Sequence, residues 1–450
     1  MLVGVLLLLR SPNSGSTAAF APAQQGEFLA VIAPFQRQGG DPQPIGSTLA
    51  NDLRQAPNAQ DLFRVETMPR APAERTLPGI LETYTPAVLV TGAYDGASIS
   101  SRIDLHPPGL PRTPAAATNG GAVIFPSLEP ATYRTYAPQG NEKPLLYLQA
   151  WITGQSHFWN GRYKKALPFL QEAVRLLPRQ VPIDQRQDMD AFASGINWQL
   201  GYIAGVVEQN WQAARDYFET AQRQNPNAPL TVVGLAMSYA QLGDLPRAQA
   251  LILDALRAQP ESWQLYFALA QIALIQNDTS AANAAFEKAI ALIGDPQTPD
   301  RGRALADIYA TRGAYRLDHG DPDGAKADLQ KAVDLGRNDA FVHGSLAWAA
   351  YLGGDYTTAV AASAAATQKD PERSDLAFNH GLLLLAASRL DEANAAYDRA
   401  IELTLKIKDQ LDRSKNFGVA YRDLDVLRQK RPDLEQDVLA IQKRIETANG

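Results

Sequence analysis

The stretch that decides the fold is WQLGYIAGVVEQNWQAARDYFETAQRQNP, from Trp198 to Pro226. Apolar residues recur at helical spacing on both sides of a short polar break, which predicts two helices folded back on each other. In the second helix Ala214 and Ala221 stand seven residues apart, with Phe218 between them. Small side chains let a neighbouring helix approach closely, and the bulky residue fills the space beside it. The stretch therefore predicts an antiparallel helix pair.

The same spacing recurs six more times along the chain. The first alanines of successive copies are separated by 48, 34, 34, 43, 34 and 34 residues, and a bulky residue follows four positions later in every copy except at Ser363. The alanine pairs are Ala166 and Ala173, Ala214 and Ala221, Ala248 and Ala255, Ala282 and Ala289, Ala325 and Ala332, Ala359 and Ala366, and Ala393 and Ala400. A period near 34 residues predicts helix pairs that stack and bury their apolar faces against one another.

A small residue also stands in the first helix of most copies, twelve positions before the first alanine. These residues are Gly154, Ala236, Ala270, Gly313, Ala347 and Gly381. We expect the second helix to cross the first at this position. In the second copy Tyr202 occupies it and Gly201 comes one place earlier, so we expect a local shift of that crossing.

This pattern resembles the tetratricopeptide repeat over about Lys143 to Leu403. The resemblance implies an all-α superhelix, or α-solenoid, of about seven repeats across residues 141–404, whose first helices line a concave groove. Residues 405–450 are predicted to be a pair of capping helices. In the last of them Leu434, Val438, Ile441 and Ile445 share one face, which we expect to pack on the final repeat.

The residues before the repeats have a different sequence pattern. Apolar runs, helical patterns and an Asp-Gly turn predict the order β-α-β-α-β-β for residues 27–106, a small α/β domain with its helices on one face of a sheet. Residues 107–140, rich in Pro, Gly, Ala and Thr, are predicted to be an irregular linker.

The beginning of this domain, AVIAPFQRQGGDPQPIGSTLANDL, and the later strand Val88 to Gly92 resemble the TolB-like amino-terminal domain. Gln36-Arg37-Gln38 stand where that family usually has an Asn. In bacterial proteins of the family, such a domain often follows a membrane helix and precedes tetratricopeptide repeats. The resemblance implies a domain without catalytic residues.

Residues 1–26 begin with MLVGVLLLL and continue into a polar, flexible linker. Nine apolar residues cannot cross a bilayer, and a basic leader and a well-placed cleavage site are missing. We favour the downstream end of a truncated membrane helix. A weak signal sequence and a mis-set start are the alternatives. A membrane-anchored or extracytoplasmic location is favoured over a cytoplasmic one.

Composition argues against several kinds of chemistry. The net charge of −6 gives no basic excess for nucleic acid, and the absence of cysteine excludes thiolate metal sites. No two of the five histidines have the spacing of a helical metal site, and no nucleotide-binding or hydrolase motif is present. We therefore predict a protein that is not an enzyme and has no cofactor.

The groove is the predicted functional surface, because its positions on the first helices are apolar and aromatic with a few amides. The predicted partner-binding residues are Trp151, Phe158, Trp159, Phe267, Gln271, Trp348, Tyr351 and Phe378. Phe341 belongs to the same lining. The alternative, which the sequence weighs equally, is that part of this lining is core, covered by residues 107–140 or by the sheet domain.

These observations predict a protein-interaction scaffold that holds a protein or peptide segment in its groove, with membrane attachment through residues 1–26. The alternative is the sensory half of a membrane-anchored signalling enzyme or transcription regulator, whose output domain lies upstream of Met1.

Overall fold

The computed structural model describes residues 20–24, 27–38, 44–56, 63–95, 97–106, 131–138, 144–296 and 298–449. The predicted membrane-type segment and most of the predicted linker, residues 107–130, lie outside these ranges. Among the described residues, those up to Thr231 form one compact unit and those from Val232 onward form a second.

The first unit begins with a small mixed sheet. Its elements are β1 (Leu29–Ile32), β2 (Gln36–Arg37), α1 (Ile45–Arg54), β3 (Arg64–Thr67), α2 (Leu77–Tyr84), β4 (Val88–Tyr94), β5 (Ser98–Leu105) and β6 (Ala131–Pro138). The strand order is β3-β1-β4-β5-β6, with β2 paired to the end of β4. Strands β1, β3 and β4 run parallel, whereas β5 and β6 are antiparallel to their neighbours.

Two strands are additional to the predicted β-α-β-α-β-β pattern. Strand β2 is only two residues long, but β6 pairs with β5 along its whole length, from Leu105 opposite Ala131 to Ser98 opposite Pro138. The prediction that residues 131–138 are irregular is therefore wrong. Their sequence, ATYRTYAP, has the Thr and Tyr content of a strand, and the partner that β6 needs lies more than twenty residues earlier.

Helices lie on both faces of the sheet, in contrast to the single covered face that we predicted. Helix α2 packs on the face that carries Leu29, Val31 and Leu89. The chain steps from β1 to β3 in one direction and from β3 to β4 in the other. Since such crossovers are right-handed, this reversal places α1 and α2 on opposite faces.

The rest of the described chain is helical and arranged in successive helix pairs. The pairs are α3 (Leu146–Trp159) and α4 (Tyr163–Arg175), α5 (Arg186–Tyr202) and α6 (Trp211–Gln224), α7 (Pro229–Gln241) and α8 (Leu245–Ala258), α9 (Trp263–Ile275) and α10 (Thr279–Ile293), α11 (Pro299–Asp318) and α12 (Pro322–Asp334), α13 (Ala340–Leu352) and α14 (Tyr356–Lys369), α15 (Ser374–Ala386) and α16 (Leu390–Leu405), and α17 (Gln410–Lys430) and α18 (Glu435–Asn449). In the second unit, consecutive pairs contact one another in a tetratricopeptide-type α-solenoid.

One backbone feature recurs in the turn inside each of the first seven pairs. A residue with positive φ stands five places before the first alanine of every copy: Gly161, Gln209, Gly243, Asn277, Gly320, Gly354 and Ser388. In the five middle turns the next residue is an Asn or Asp whose side chain accepts a hydrogen bond from the first turn of the second helix. The repeat seen in the sequence is thus also a repeat of backbone conformation.

The predicted crossing of the two helices at a small residue is confirmed. A Cβ placed on Gly154 would lie 2.8 Å from Leu170, and one on Gly381 would lie 2.9 Å from Tyr397. Both contacts join the small residue of the first helix to the bulky residue between the two alanines of the second. At such a distance a Cβ would force the facing side chain to move, because real Cβ contacts are longer.

The second pair shows the expected local shift. Gly201, not Tyr202, faces Phe218, since a Cβ on Gly201 would lie 2.8 Å from that ring. Because the crossing lies one residue earlier than in the other pairs, one additional residue stands between the crossing and the turn. A π-helical turn, Ile203–Val207, accommodates this residue. As a result the backbone N–H of Asn210 donates to the carbonyl six residues earlier, whereas the equivalent bond in the other turns spans five residues.

The second unit ends with the predicted capping helices. Leu434 lies in a 3₁₀ turn before α18, and Val438, Ile441 and Ile445 lie on α18; all four are buried in the same apolar core as the final repeats. Among the described residues, no helix combines the length and apolarity that crossing a membrane requires.

Candidate functional site

Seven of the eight predicted groove residues are buried. They are Trp151, Phe158, Trp159, Phe267, Gln271, Tyr351 and Phe378. Only Trp348 is half-buried. In this structure a partner could not reach the seven buried side chains without displacing the residues that cover them.

The sheet explains the burial of Trp151. Tyr133 of β6 meets Trp151 of α3 at a ring-centroid distance of 6.4 Å, and Phe192 of α5 lies 5.2 Å from the same indole. Tyr147 of α3 also donates a hydrogen bond of 3.0 Å to Thr135 on β6. The first helices of the first two pairs therefore pack against the sheet as a second layer. This agrees with the alternative interpretation of the sequence, in which part of the groove lining is core covered by the sheet domain.

A polar network holds the same two helices together. Gln155 of α3 and Gln199 of α5 exchange reciprocal amide hydrogen bonds of 2.7 and 2.9 Å. The indole N–H of Trp159 donates to the Gln155 oxygen at 2.9 Å. Phe158 packs edge-on against Tyr163 and Tyr202 at 5.3 and 5.6 Å. The polar groups of this network have their hydrogen-bond partners inside the chain. They therefore stabilise the packing of the two helices and do not form a binding surface.

Predicted groove residues in the second unit also pack internally. Phe267 contacts Phe286 of its own pair at 6.2 Å. Phe378 lies 6.0 Å from Tyr397 and 6.1 Å from Phe417, between the last repeat and the cap. Their burial therefore follows from contacts within the array.

Helix α13 differs, because it presents apolar side chains to solvent. Phe341 is 36% exposed, Leu352 is 40% exposed, and Trp348 is half-buried. Their spacing of seven and then four residues places all three along one face of the helix. We call Phe341, Trp348 and Leu352 the apolar stripe. Leu352 was missed in the predicted site, although its spacing from Trp348 was visible in the sequence.

The surroundings of the apolar stripe are aromatic and charged. The ring of Trp348 lies 5.3 Å from that of Tyr351, and the Lys430 ammonium lies 5.6 Å from the centre of the Tyr351 ring. The Arg337 guanidinium lies 5.9 Å from the centre of the Phe341 ring. The stripe is thus an apolar surface bordered by ionic groups, the usual composition of a protein-binding surface.

A cavity of about 690 Å³ lies between α14 and the start of α16. Ser363 stands here in place of the bulky residue of the other copies, and its hydroxyl bonds to His380 at 2.8 Å. Arg431 closes one end by donating to the Ala386 carbonyl at 2.6 Å and to Ser388 at 3.1 Å. The guanidinium thus ties the cavity walls together.

The described residues contain no group of three or more acidic or histidine side chains that could hold a metal ion.

With the geometry in place, the comparison with protein families identifies the repeats. Residues 233–299, 310–374 and 346–406 match the family model for the tetratricopeptide repeat. This part of the chain consists of tetratricopeptide repeats. The residues that match this family do not include the sheet.

A curated relative is similar over a short region. Cellulose synthase operon protein C of Pseudomonas fluorescens (strain SBW25) is 37% identical over 97 residues, which is 22% of this chain and 7% of the relative. The chain thus matches only a small fraction of that protein's length.

Several solved structures are similar at low identity. A thermophilic tetratricopeptide repeat protein of Thermus thermophilus has 23% identity and a TM-score of 0.34, covering 43% of this chain and 100% of that one. PilF of Pseudomonas aeruginosa has 17% identity and a TM-score of 0.40, covering 50% and 97%. Yeast Tom70 has 14% identity and a TM-score of 0.39, covering 68% of each chain. At these TM-scores the similarity says nothing about the function of this chain.

Proposed function

We propose that this chain is a non-enzymatic interaction scaffold that holds a peptide segment of a partner protein against the apolar stripe. Tetratricopeptide repeat proteins serve as protein-interaction scaffolds, and residues 233–299 and 310–406 match such repeats. The observation that supports this site is the exposure of Phe341, Trp348 and Leu352 on one helix face, where other positions of the lining are buried. Aromatic side chains are the usual anchors of peptide recognition.

The test begins with random dodecapeptides displayed on phage and selected on the purified chain. The affinity of a selected peptide is then measured by fluorescence anisotropy. The double variant Phe341→Ala, Trp348→Ala is expected to weaken binding about tenfold or more, because it removes both aromatic anchors. The matched control is Leu242→Ala, Leu253→Ala, which removes two side chains that are 43% and 41% exposed elsewhere. Equal losses in the two double variants would contradict the proposed site.

Phe378→Ala separates the apolar stripe from the wider groove predicted from the sequence. Phe378 is 4% exposed and packs between the last repeat and the cap. We expect its truncation to lower the free energy of unfolding by about 3–5 kcal/mol, measured in urea by circular dichroism. If this variant keeps its stability and loses peptide affinity, the buried lining is the binding surface instead.

We further propose that the sheet is a TolB-like domain and that residues 1–26 attach the chain to a membrane. Support for the first proposal is the strand LAVI at Leu29–Ile32, followed by helix α1, with Gly92 inside β4. Support for the second is the apolar run MLVGVLLLL. Fractionation of cells that express the full chain, or the chain without residues 1–10, tests the attachment. Recovery of both forms in the soluble fraction would contradict it.

A further inference from the structure

The cavity between α14 and the start of α16 coincides with a local departure from the repeat. In the sixth copy the residue five positions after the first alanine is Ala364, which lines the cavity. The other six copies have a larger side chain at this position: Gln171, Glu219, Leu253, Glu287, Gln330 and Asp398. The sequence of the sixth copy therefore leaves room where the other copies place a larger residue.

His380 also lines the cavity, and its hydrogen bonds fix its tautomer. The Ser363 hydroxyl donates to the Val360 carbonyl at 3.0 Å and lies 2.8 Å from Nδ1 of His380. Because a hydroxyl has one proton, the Ser363 oxygen accepts from His380, so Nδ1 carries the ring proton. Burial and, to a smaller extent, the charge of Arg389 lower the pKa of His380 against the opposing charge of Glu392, so the ring is neutral at neutral pH.

The other ring nitrogen of His380, Nε2, is then a hydrogen-bond acceptor. Among the described residues, none donates a hydrogen bond to it. Ser363 is 3% exposed, so Nδ1 is turned toward the core and Nε2 is the nitrogen that a molecule in the cavity can reach. A half-buried acceptor without a donor gains free energy when a donor approaches it.

The charged side chains of the lining already have partners. Arg389 donates two hydrogen bonds of 2.7 and 2.6 Å to Glu392, and Arg431 forms an ion pair with Asp433. The apolar part of the lining comprises Val360, Ala361, Ala364, Leu384, Ala386 and Ala387. Among the described residues, the cavity thus combines an apolar wall and one unused acceptor with charges that are already neutralised.

We propose that this cavity binds a small uncharged molecule that has an apolar body and one N–H or O–H group, which donates to Nε2 of His380. A charged ligand would find no free counter-charge in the lining, and a purely apolar one would leave Nε2 without a donor. The volume of about 690 Å³ is in the range of small-molecule sites. No residue of the apolar stripe lines this cavity, so the inference goes beyond the proposed function.

The experiment compares indole with 1-methylindole, which has the same ring system but no N–H donor. Their affinities for the full chain are measured by equilibrium dialysis. Binding is located by NMR on a chain that carries carbon-13 at Cε1 of its five histidines, with the His380 signal assigned from His380→Phe. Indole is expected to shift this signal and to bind about fivefold more tightly than 1-methylindole, because only indole can donate to Nε2.

His380→Phe keeps a planar ring and removes the acceptor, so the two affinities should become equal. His319→Phe is the matched control, because His319 is an exposed histidine in the turn after α11 and does not line the cavity. It should keep the preference for indole. Equal affinities of the wild type for both probes, or a preference that survives in His380→Phe, would overturn the inference.

Ala364→Gln tests the cavity itself, because it introduces the residue that the first and fifth copies have at this position. Ala364 is exposed, so the fold should be retained, which circular dichroism checks. The longer side chain should abolish the effect of indole on the His380 signal, and Ala364→Leu should do the same. Ala284→Gln, at an exposed alanine of α10, is the control and should leave the effect unchanged. An effect that persists in both Ala364 variants, or no effect of indole in the wild type, would refute the site.

Discussion

At the scale of single residues, the array depends on seven positions that adopt positive φ. Three of them are not glycine: Gln209, Asn277 and Ser388. Residues with a Cβ are strained in this conformation, whereas glycine adopts it without cost. The turn is therefore imposed by the packing of the two helices even where the residue does not favour it.

Gly243→Ala tests this conformational requirement directly. Gly243 has φ of +88°, and a Cβ placed there would meet no atom within 4 Å, so only backbone strain can act. We expect the free energy of unfolding to fall by about 1 kcal/mol, measured in urea by circular dichroism.

Gly79→Ala is the control for that substitution. Gly79 lies within α2, and a Cβ placed there also meets no atom within 4 Å. Since alanine favours the helix, this change should not lower stability. A loss in Gly79→Ala as large as that in Gly243→Ala would mean that positive φ is not the cause.

At the scale of elements, the cap ends the array by covering an apolar surface. Val438 is fully buried in α18, whereas its neighbour Leu439 is 45% exposed. Val438→Asp places an unpaired charge in the contact between the cap and the last repeat. We expect it to lower the free energy of unfolding by about 2–4 kcal/mol. Leu439→Asp introduces the same charge one residue away and should change stability little. Equal thermal stability of wild type and Val438→Asp would show that α18 does not cover the array.

The elements also show which features the sequence could predict. The contacts of Gly154 with Leu170 and of Gly381 with Tyr397 were predictable, because they depend on fixed spacing within one helix pair. The local shift at Gly201 was predictable for the same reason. Strand β6 was not, since it pairs with a strand separated from it by more than twenty residues.

The candidate site was predictable only in part. Trp151 and Phe341 are both aromatic residues at lining positions in the first helices of their own repeats, and their local sequence does not tell which of them is exposed. Trp151 is covered by Tyr133 of the sheet, whereas Phe341 remains exposed. Exposure depends on which distant segment lies on a helix face, and helical periodicity does not contain that information.

At the scale of the whole molecule, partly buried histidines make stability depend on pH. Burial lowers the pKa of both His343 and His380 from the ordinary value of 6.5. At His343 the charge of Asp339 opposes this effect and that of Lys369 adds to it, and at His380 Arg389 adds to it and Glu392 opposes it. The folded chain therefore binds these protons less readily than the unfolded chain. The stabilisation is complete above pH 6.5 and is lost progressively as the pH falls toward the lowered values.

We expect the free energy of unfolding to decrease between about pH 7.5 and about pH 5.5, and the double variant His343→Asn, His380→Asn to show a smaller decrease. Urea unfolding at a series of pH values measures both slopes. Parallel slopes for the two proteins would assign the pH dependence to other groups.

The identical turns also bear on how such a chain changes length over evolution. Gly243 and Asn277 are 34 residues apart and share one backbone conformation, as do Gly320 and Gly354. Tandem duplication of one 34-residue block would therefore add a helix pair whose two ends already match its neighbours. The first and last pairs differ, because each packs against something other than a repeat. Trp151 of the first pair packs against Tyr133 of the sheet, and Phe378 of the last pair packs against Phe417 of the cap. Insertions and losses of whole repeats should accordingly be found among homologues in the interior of the array and not at its two ends.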